Sequence, residues 1–285
     1  MPKHIYKKNK RSRRDIKLKI TPTDKQIIQQ VADFRLLDTK LIAALHPEIS
    51  TRGLQRRLQK LFHAGFLDRP AHQFAYFKPS GCLVYALGRE GAKMAYADRR
   101  HSVNWSEKNR QIQPNFMEHC LMVSRFGVAL MLAMAKKQES SLSAWQKEGT
   151  VDYVFVNGRK IPLRPDAFFT LEDKGDLLHF FLEADRSSMT LDRFARKIQA
   201  YWQWWRGNRQ EKLLGISRFR VLTITISEAR RDHLRQISRQ ADPRGQGSEM
   251  FLFACHKDYR PESAGTILES IWKSPKNDKP HHLLE

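Results

Sequence analysis

Cysteine is scarce. Cys82, Cys120 and Cys255 are the three in 285 residues, far apart, odd in number and without a CxxC pair, so neither a disulfide framework nor a zinc ribbon has support and a reducing compartment is expected. Long apolar runs are missing as well. The nearest approach to a membrane span is residues 126–135, preceded by Arg125 and well short of the roughly 20 residues a bilayer requires; it reads as a buried helix. No apolar stretch follows the charged N-terminus, which argues against a secretory signal. There is no Walker loop and no GxGxxG, so ATP or dinucleotide binding has no support. Acids are in short supply too: 30 Asp+Glu against 51 Lys+Arg gives a formal net charge of +21.

That surplus costs self-repulsion in a folded chain unless a polyanion neutralises part of it, and duplex DNA is the expected partner. An anionic membrane would favour a segregated basic amphipathic helix or a lipidation signal; neither is found, and no membrane partner is expected. With 41% hydrophobic and 10% aromatic residues, the chain has enough apolar material for two compact domains. Residues 1–20 form a basic flexible arm in this reading, with nine Lys/Arg and one acid, Asp15, in the first nineteen positions. Thr21-Pro22-Thr23-Asp24 has the form of a capping box with proline at the first helical position, leading a helix through Ile27, Ile28, Val31 and Phe34. A short helix over 39–45 follows a brief turn. A third begins at Ser50 or Thr51, faces Leu54, Leu58 and Leu61 inward and ends at Gly65; Arg52, Arg56, Arg57 and Lys60 mark its other face. Two strand-like pieces, 66–69 and 82–87, bracket a turn at 78–81 with Lys78 at its tip. Three helices and a β-ribbon is the winged-helix order, in which the third helix enters the major groove, and this domain is expected over 21–98, with a linker over 99–114.

The second domain, 115–273, opens with a long helix over 115–137 and continues as a mixed α/β sheet covered by helices, with a loose polar tail over 274–285. Strands are expected at 145–148, 152–156, 166–171, 179–184, 218–226 and 250–254, with Asn157-Gly158 as a hairpin turn. The long helix over 190–206 is expected to pack Leu191, Phe194, Ile198, Trp202 and Trp205 into the core. A basic helix is expected over 228–240.

Chemistry gathers around Pro165-Asp166 and Glu183-Ala184-Asp185. If the strands 166–171 and 179–184 pair as an antiparallel hairpin, Asp166 and Glu183 reach the same edge, and Asp185 shares the face of Glu183. Three carboxylates there would suit Mg²⁺ or Mn²⁺, a metal able to orient water and stabilise charge on a phosphodiester. Lys197 and Tyr201, four residues apart, lie one turn apart on the next helix, and Lys197 is the candidate catalytic lysine. The plain alternatives are surface acids paired with Arg164 or Arg186, and a solvated lysine. Glu148 and His119 are weaker candidates, a strand-end acid and a helix-end histidine being the commoner outcomes. Ser187-Ser188 reads as a cap of the following helix, with no nucleophile triad around it.

Taken together, the stretches ITPTDKQIIQQVADFRLLDTKLIAAL, RGLQRRLQKLFHAGFLDR, YALGREGAKM, EHCLMVSRFGVAL, RPDAFFTL and FLEADRSSMTLDRFARKIQAYWQWW resemble the replication-relaxation family of plasmid and mobile-element proteins. The resemblance implies a winged helix joined to a restriction-endonuclease-like α/β domain of the PD-(D/E)xK type, with Asp166, Glu183, Asp185, Arg186 and His119 as matched positions. The lysine of that pattern is replaced here by Asp185. Two functions stay open: a double-stranded DNA-binding protein in replication, relaxation or mobilisation whose nuclease-like domain has lost activity, and an active Mg-dependent endonuclease or nickase. The expected partners are duplex DNA, other replication or mobilisation proteins and a second copy of the chain, in the bacterial cytoplasm with the nucleoid or a plasmid.

Overall fold

The computed structural model describes residues 11, 18–73, 82–96, 108–109, 111–147, 149 and 151–284. It is a mixed α/β protein of two compact units, Met1–Ser124 and Arg125–Glu285. In the first, helix α1 (Pro22–Phe34) starts at the expected capping box: Asp24 accepts from the Thr21 backbone N–H at 2.7 Å, and Thr21 Oγ1 accepts from the Asp24 N–H at 3.3 Å. Ile27, Ile28, Val31 and Phe34 are all buried.

Strand β1 (Leu36–Asp38) follows, where the sequence suggested only a turn. Three residues buried on both faces carry no alternation to detect. Asp38 caps helix α2 (Thr39–Leu45), accepting from the Leu41 N–H at 2.8 Å. Helix α3 (Thr51–His63) is capped by Ser50 and buries Leu54, Leu58, Leu61 and Phe62. Strands β2 (Leu67–Asp68) and β3 (Val84–Leu87) complete an antiparallel sheet of order β1-β3-β2. Helix α4 (Arg89–Ala95) sits close against the chain at Phe66: a Cβ on Gly91 would lie 2.1 Å from the Phe66 carbonyl oxygen, which explains the second glycine of the GREGAK stretch.

Helix α5 (Pro114–Met134) runs through the division between the units. Its first turns place Met117, Cys120 and Leu121 in a core with Leu36, Val84, Ala86 and Ile112, and Ser124 Oγ lies 2.6 Å from the Leu36 carbonyl oxygen. The start of this helix and Ile112, assigned from sequence to the second domain and the linker, therefore pack in the first unit. By length and composition the helix is long and apolar enough to cross a membrane, and 67% of its most apolar window is buried inside the protein. Counting only residues 126–135 underestimated it, because the half-polar opening turns are helical as well.

The second unit is built on a seven-stranded sheet that contains strands β4 (Ser140–Lys147), β7 (Ala167–Asp173), β8 (Asp176–Asp185), β9 (Arg220–Thr225), β10 (Phe251–Cys255), β11 (Trp272–Lys273) and β12 (Pro280–His281). Its order is β12-β11-β10-β9-β8-β7-β4. Strands β8, β9 and β10 are mutually parallel and β4, β7 and β8 antiparallel. A separate hairpin, β5 (Asp152–Val156) and β6 (Arg159–Leu163), turns at Asn157-Gly158 with both residues at positive φ, the left-handed pair its sequence predicts. One face of the sheet is covered by α6 (Leu191–Arg206) and α8 (Glu228–Ala241), through Phe194, Ile198, Tyr201, Trp204 and Leu234 packed on Phe181, Val221, Phe251 and Phe253. Between those helices lies the short α7 (Arg209–Leu214). On the other face Phe126 meets Phe169, Tyr259 and Trp272.

Two expectations are corrected, and a third falls mostly outside the described residues. The tail is not loose: β12 pairs with β11, Leu283 is fully buried, and Arg235 donates to the Ser274 and Asn277 carbonyls at 2.7 and 3.0 Å. Isolated anchors such as Trp272 and Leu283 leave no periodic trace. The buried face of α6 turns on Tyr201 and Trp204, while Leu191 and Trp205 are 38% and 43% exposed. The basic arm lies mostly outside the described residues, but Arg11 is seated on the fold, donating to the Phe62 and Leu67 carbonyls at 3.0 and 3.1 Å.

Candidate functional site

The β7–β8 hairpin turns at Lys174-Gly175, both at positive φ, and its register pairs Ala167 with Leu182. One step further, Asp166 falls opposite Glu183. The Asp166 N–H donates to the Leu182 carbonyl at 2.8 Å, and its carboxylate accepts from the Ala184 N–H at 2.7 Å. Because side chains alternate along a strand, Glu183 and Asp185 share the face that carries Phe181, under α6 and α8. The sheet therefore brings Asp166 to Glu183 as the spacing predicts.

Glu183 is only 5% exposed, and a buried carboxylate requires partners. Helix α6 supplies two, four residues apart: the Tyr201 hydroxyl donates to Oε1 at 2.7 Å, and the Lys197 ammonium donates to Oε2. Burial pushes the Glu183 carboxyl up to about 7, against the pull of Lys197 and with the help of the neighbouring Asp166 charge. Burial, with Glu183 beside it, drives the Tyr201 hydroxyl well above its ordinary value, so Tyr201 acts as a donor only. Lys197 is thus an ion-pair partner within the protein rather than a solvated helix position.

Asp185 is 5% exposed and is held from α8. Arg230 grips it with both ends of its fork, Nε to Oδ1 at 2.8 Å and Nη2 to Oδ2 at 3.0 Å, while the Ser187 N–H donates to Oδ1 at 2.8 Å. Arg230 also donates to the Met189 carbonyl at 2.5 Å. The sequence showed a basic helix without singling out Arg230. The available signal is the parallel pairing of Asp185 with Thr225, which brings the first turn of α8 alongside Asp185. Thr223, paired with Glu183 on the next strand, is fully buried, and its hydroxyl has no hydrogen-bond partner among the described residues.

A hard cation needs free carboxylate oxygens turned to one point. Here both oxygens of Glu183 and both of Asp185 are bonded to protein donors, and among the described residues no group of three His, Cys, Asp or Glu side chains is placed to hold a metal ion. The donor set does not fit Mg²⁺ or Mn²⁺ in this arrangement, because Lys197 and Arg230 take up the carboxylates that would coordinate it. Ser187 and Ser188 do not cap α6; Thr190 does, accepting from the Arg193 N–H at 3.3 Å. His119 is half-buried on α5 in the first unit, and Glu148 lies outside the described residues.

A second cluster lies on α3. Arg52, Arg56 and Lys60 are exposed, interleaved with exposed Gln55 and Gln59, while Leu54, Leu58 and Leu61 face inward. Arg57 departs from this group: its guanidinium grips both oxygens of Asp24 and donates to the Lys19 carbonyl at 3.1 Å. The Asp24 side chain is 0% exposed, so the capping box buries a charge that Arg57 must balance. Lys78 lies outside the described residues.

The replication-relaxation family matches residues 28–217, a span that takes in α3, the β7–β8 hairpin and Lys197. No curated protein and no solved structure matches the chain. With two thirds of its residues inside that match, the chain belongs to the replication-relaxation family.

Proposed function

We propose that the chain is a duplex-DNA-binding protein of a plasmid or mobile element, acting in its replication, relaxation or mobilisation, and that its second unit is a nuclease-like scaffold without cutting activity. The observation that carries the reading is the face of α3, where Arg52, Arg56 and Lys60 stand exposed with two glutamines between them. The order α1-β1-α2-α3-β2-β3 supports a winged-helix reading, and in helix-turn-helix proteins the helix in the place of α3 lies in the major groove with its cations on bases and phosphates. Support for the scaffold reading comes from the bonding of Glu183 to Lys197 and of Asp185 to Arg230. The reading places the protein in the cytoplasm with its DNA.

A second reading, an active metal-dependent nickase, is favoured by the neighbouring Asp166, Glu183 and Lys197. Two assays separate them. Fluorescence anisotropy with a duplex fragment should show Arg56→Glu binding at least tenfold more weakly than wild type, with a salt slope reduced by about 0.9 or more; equal binding would remove α3 from the interface. Supercoiled plasmid with Mg²⁺ or Mn²⁺ should stay uncut by wild type and by Asp166→Ala alike. Nicking by wild type that Asp166→Ala abolishes would replace the scaffold with the nickase.

A further inference from the structure

At the end of the second unit away from Asp166 and Glu183, the first residues of β8 and β9, the residues leading into β10 and the last turns of α6 line an open cavity of about 730 Å³. This volume falls within the roughly 300–1,000 Å³ typical of small-ligand sites. Leu178, at the cavity, and Glu183 are five residues apart on one strand, about 17 Å at the usual rise, so the two places are separate.

The pocket combines two features that ordinary packing does not explain. Trp202 and Trp205 meet edge to face, with centroids 5.8 Å apart and planes at 73°, and Trp202 is fixed from behind by Phe251 at 5.9 Å. Trp205 is left 43% exposed at the cavity, a fixed aromatic surface. Arg206, 5.9 Å from the Trp202 ring centre, and Arg218 on the cavity wall are exposed and form no ion pair among the described residues. The acid on the wall that has a partner, Glu249, is tied to Lys276 at 3.0 Å; Asp176 stands exposed at the start of β8.

We propose that this cavity binds unpaired bases of single-stranded DNA. A base has a flat face to stack on Trp205 and a phosphate for Arg218 on the wall, with Arg206 beside the Trp202 ring as a further cation. Single-strand sites combine aromatic platforms with basic surroundings in this way. A paired base in a duplex has both faces and its pairing edge occupied and cannot enter. An apolar peptide would leave the two arginines unmet, and the net charge of +21 favours a polyanion. The site lies wholly within the second unit and does not depend on the role given to α3.

The test uses the full chain and two fluorescein-labelled probes, oligo(dT) of 15 nucleotides and a duplex of equal length. Trp205→Ala should weaken oligo(dT) binding about tenfold or more with duplex binding unchanged. Trp205→Phe should retain most of the affinity, and Arg218→Glu should lose it as Trp205→Ala does. Unlabelled oligo(dT) should quench wild-type tryptophan fluorescence, with a smaller quench in Trp205→Phe. Arg56→Glu should do the reverse, losing the duplex and keeping oligo(dT), so failure of the α3 reading and failure of this one are told apart. The proposal is overturned if wild type does not bind oligo(dT), if neither Trp205→Ala nor Arg218→Glu weakens that binding, or if both probes weaken equally. Should Trp205→Ala fail to fold, Arg218→Glu at an exposed position decides the matter.

Discussion

Replacing Lys197 with methionine removes a charge and keeps much of the side-chain volume, so its effect on stability measures what the lysine does for Glu183. The two side chains are 16% and 7% exposed, hence the interaction is little screened by solvent. In the wild type the folded Glu183 carboxyl titrates at about 7 against an ordinary 4.5. A raised folded value means that stability is fully present below the unfolded value and is lost as pH rises through the folded one, roughly 3 kcal/mol between pH 4.5 and 7. Without Lys197 the carboxyl titrates higher still and the loss continues beyond pH 7. A carboxyl that takes up a proton rather than stay charged costs about 1.4 kcal/mol per pH unit, so from pH 7 to 9 the extra loss is capped at about 2.7 kcal/mol. The missing hydrogen bond adds about 1 kcal/mol at every pH. Thermal melts followed by circular dichroism should therefore place Lys197→Met close below wild type at pH 5 and open a further gap of about 5–10 °C at pH 9. The double variant Glu183→Gln/Lys197→Met should flatten that gap. An equal deficit at pH 5 and pH 9 would refute the argument, since it would mean that Glu183 is ionised throughout.

Two further outcomes follow from the same chemistry. Arg57→Ala strands a fully buried Asp24 and should cost about 3–5 kcal/mol, whereas Arg56→Ala, next to it on the exposed face, should melt within about 0.5 kcal/mol of wild type; equal melting of the two would contradict the division made between them. Thr223→Val replaces a buried hydroxyl that has no partner among the described residues with a methyl of similar size, and should leave stability unchanged or raise it by up to about 1 kcal/mol. A loss larger than that, read from urea unfolding, would show that the hydroxyl is hydrogen-bonded.

The hairpin that joins Asp166 to Glu183 was legible because its information is local. The Lys174-Gly175 turn sets the register, and strand alternation then fixes which residues share a face. The same holds for Lys197 and Tyr201, whose spacing of four survives in any helix. Arg230 reaches Asp185 across 45 residues and a crossover between parallel strands, and nothing in the spacing distinguishes it from Arg231 next to it. The strands β1, β11 and β12 escaped notice for a different reason: with two or three residues each, they are specified by neighbouring strands rather than by their own pattern.

The misplacement of Arg57 points to how the basic residues of this chain divide. Three deeply buried carboxylates each claim one cation: Asp24 takes Arg57, Glu183 takes Lys197 and Asp185 takes Arg230; Asp38 and Asp242, about as buried, accept from backbone N–H groups at a helix start and in a turn. Arg231, 5% exposed, is in turn matched by Asp232, Glu228 and Asp258. Burial forces this matching, because a charge removed from water without a partner costs more than the fold can absorb. With 30 acids against 51 bases, pairing inside the fold spends acids and leaves the surplus cations on the surface. Arg52, Arg56, Lys60, Arg206 and Arg218 belong to that exposed remainder. The position of a basic residue in a helix therefore does not decide whether it serves the fold or a polyanion; the burial of the nearest acid does, and for Arg56 and Arg57, adjacent in the chain, it gives opposite answers.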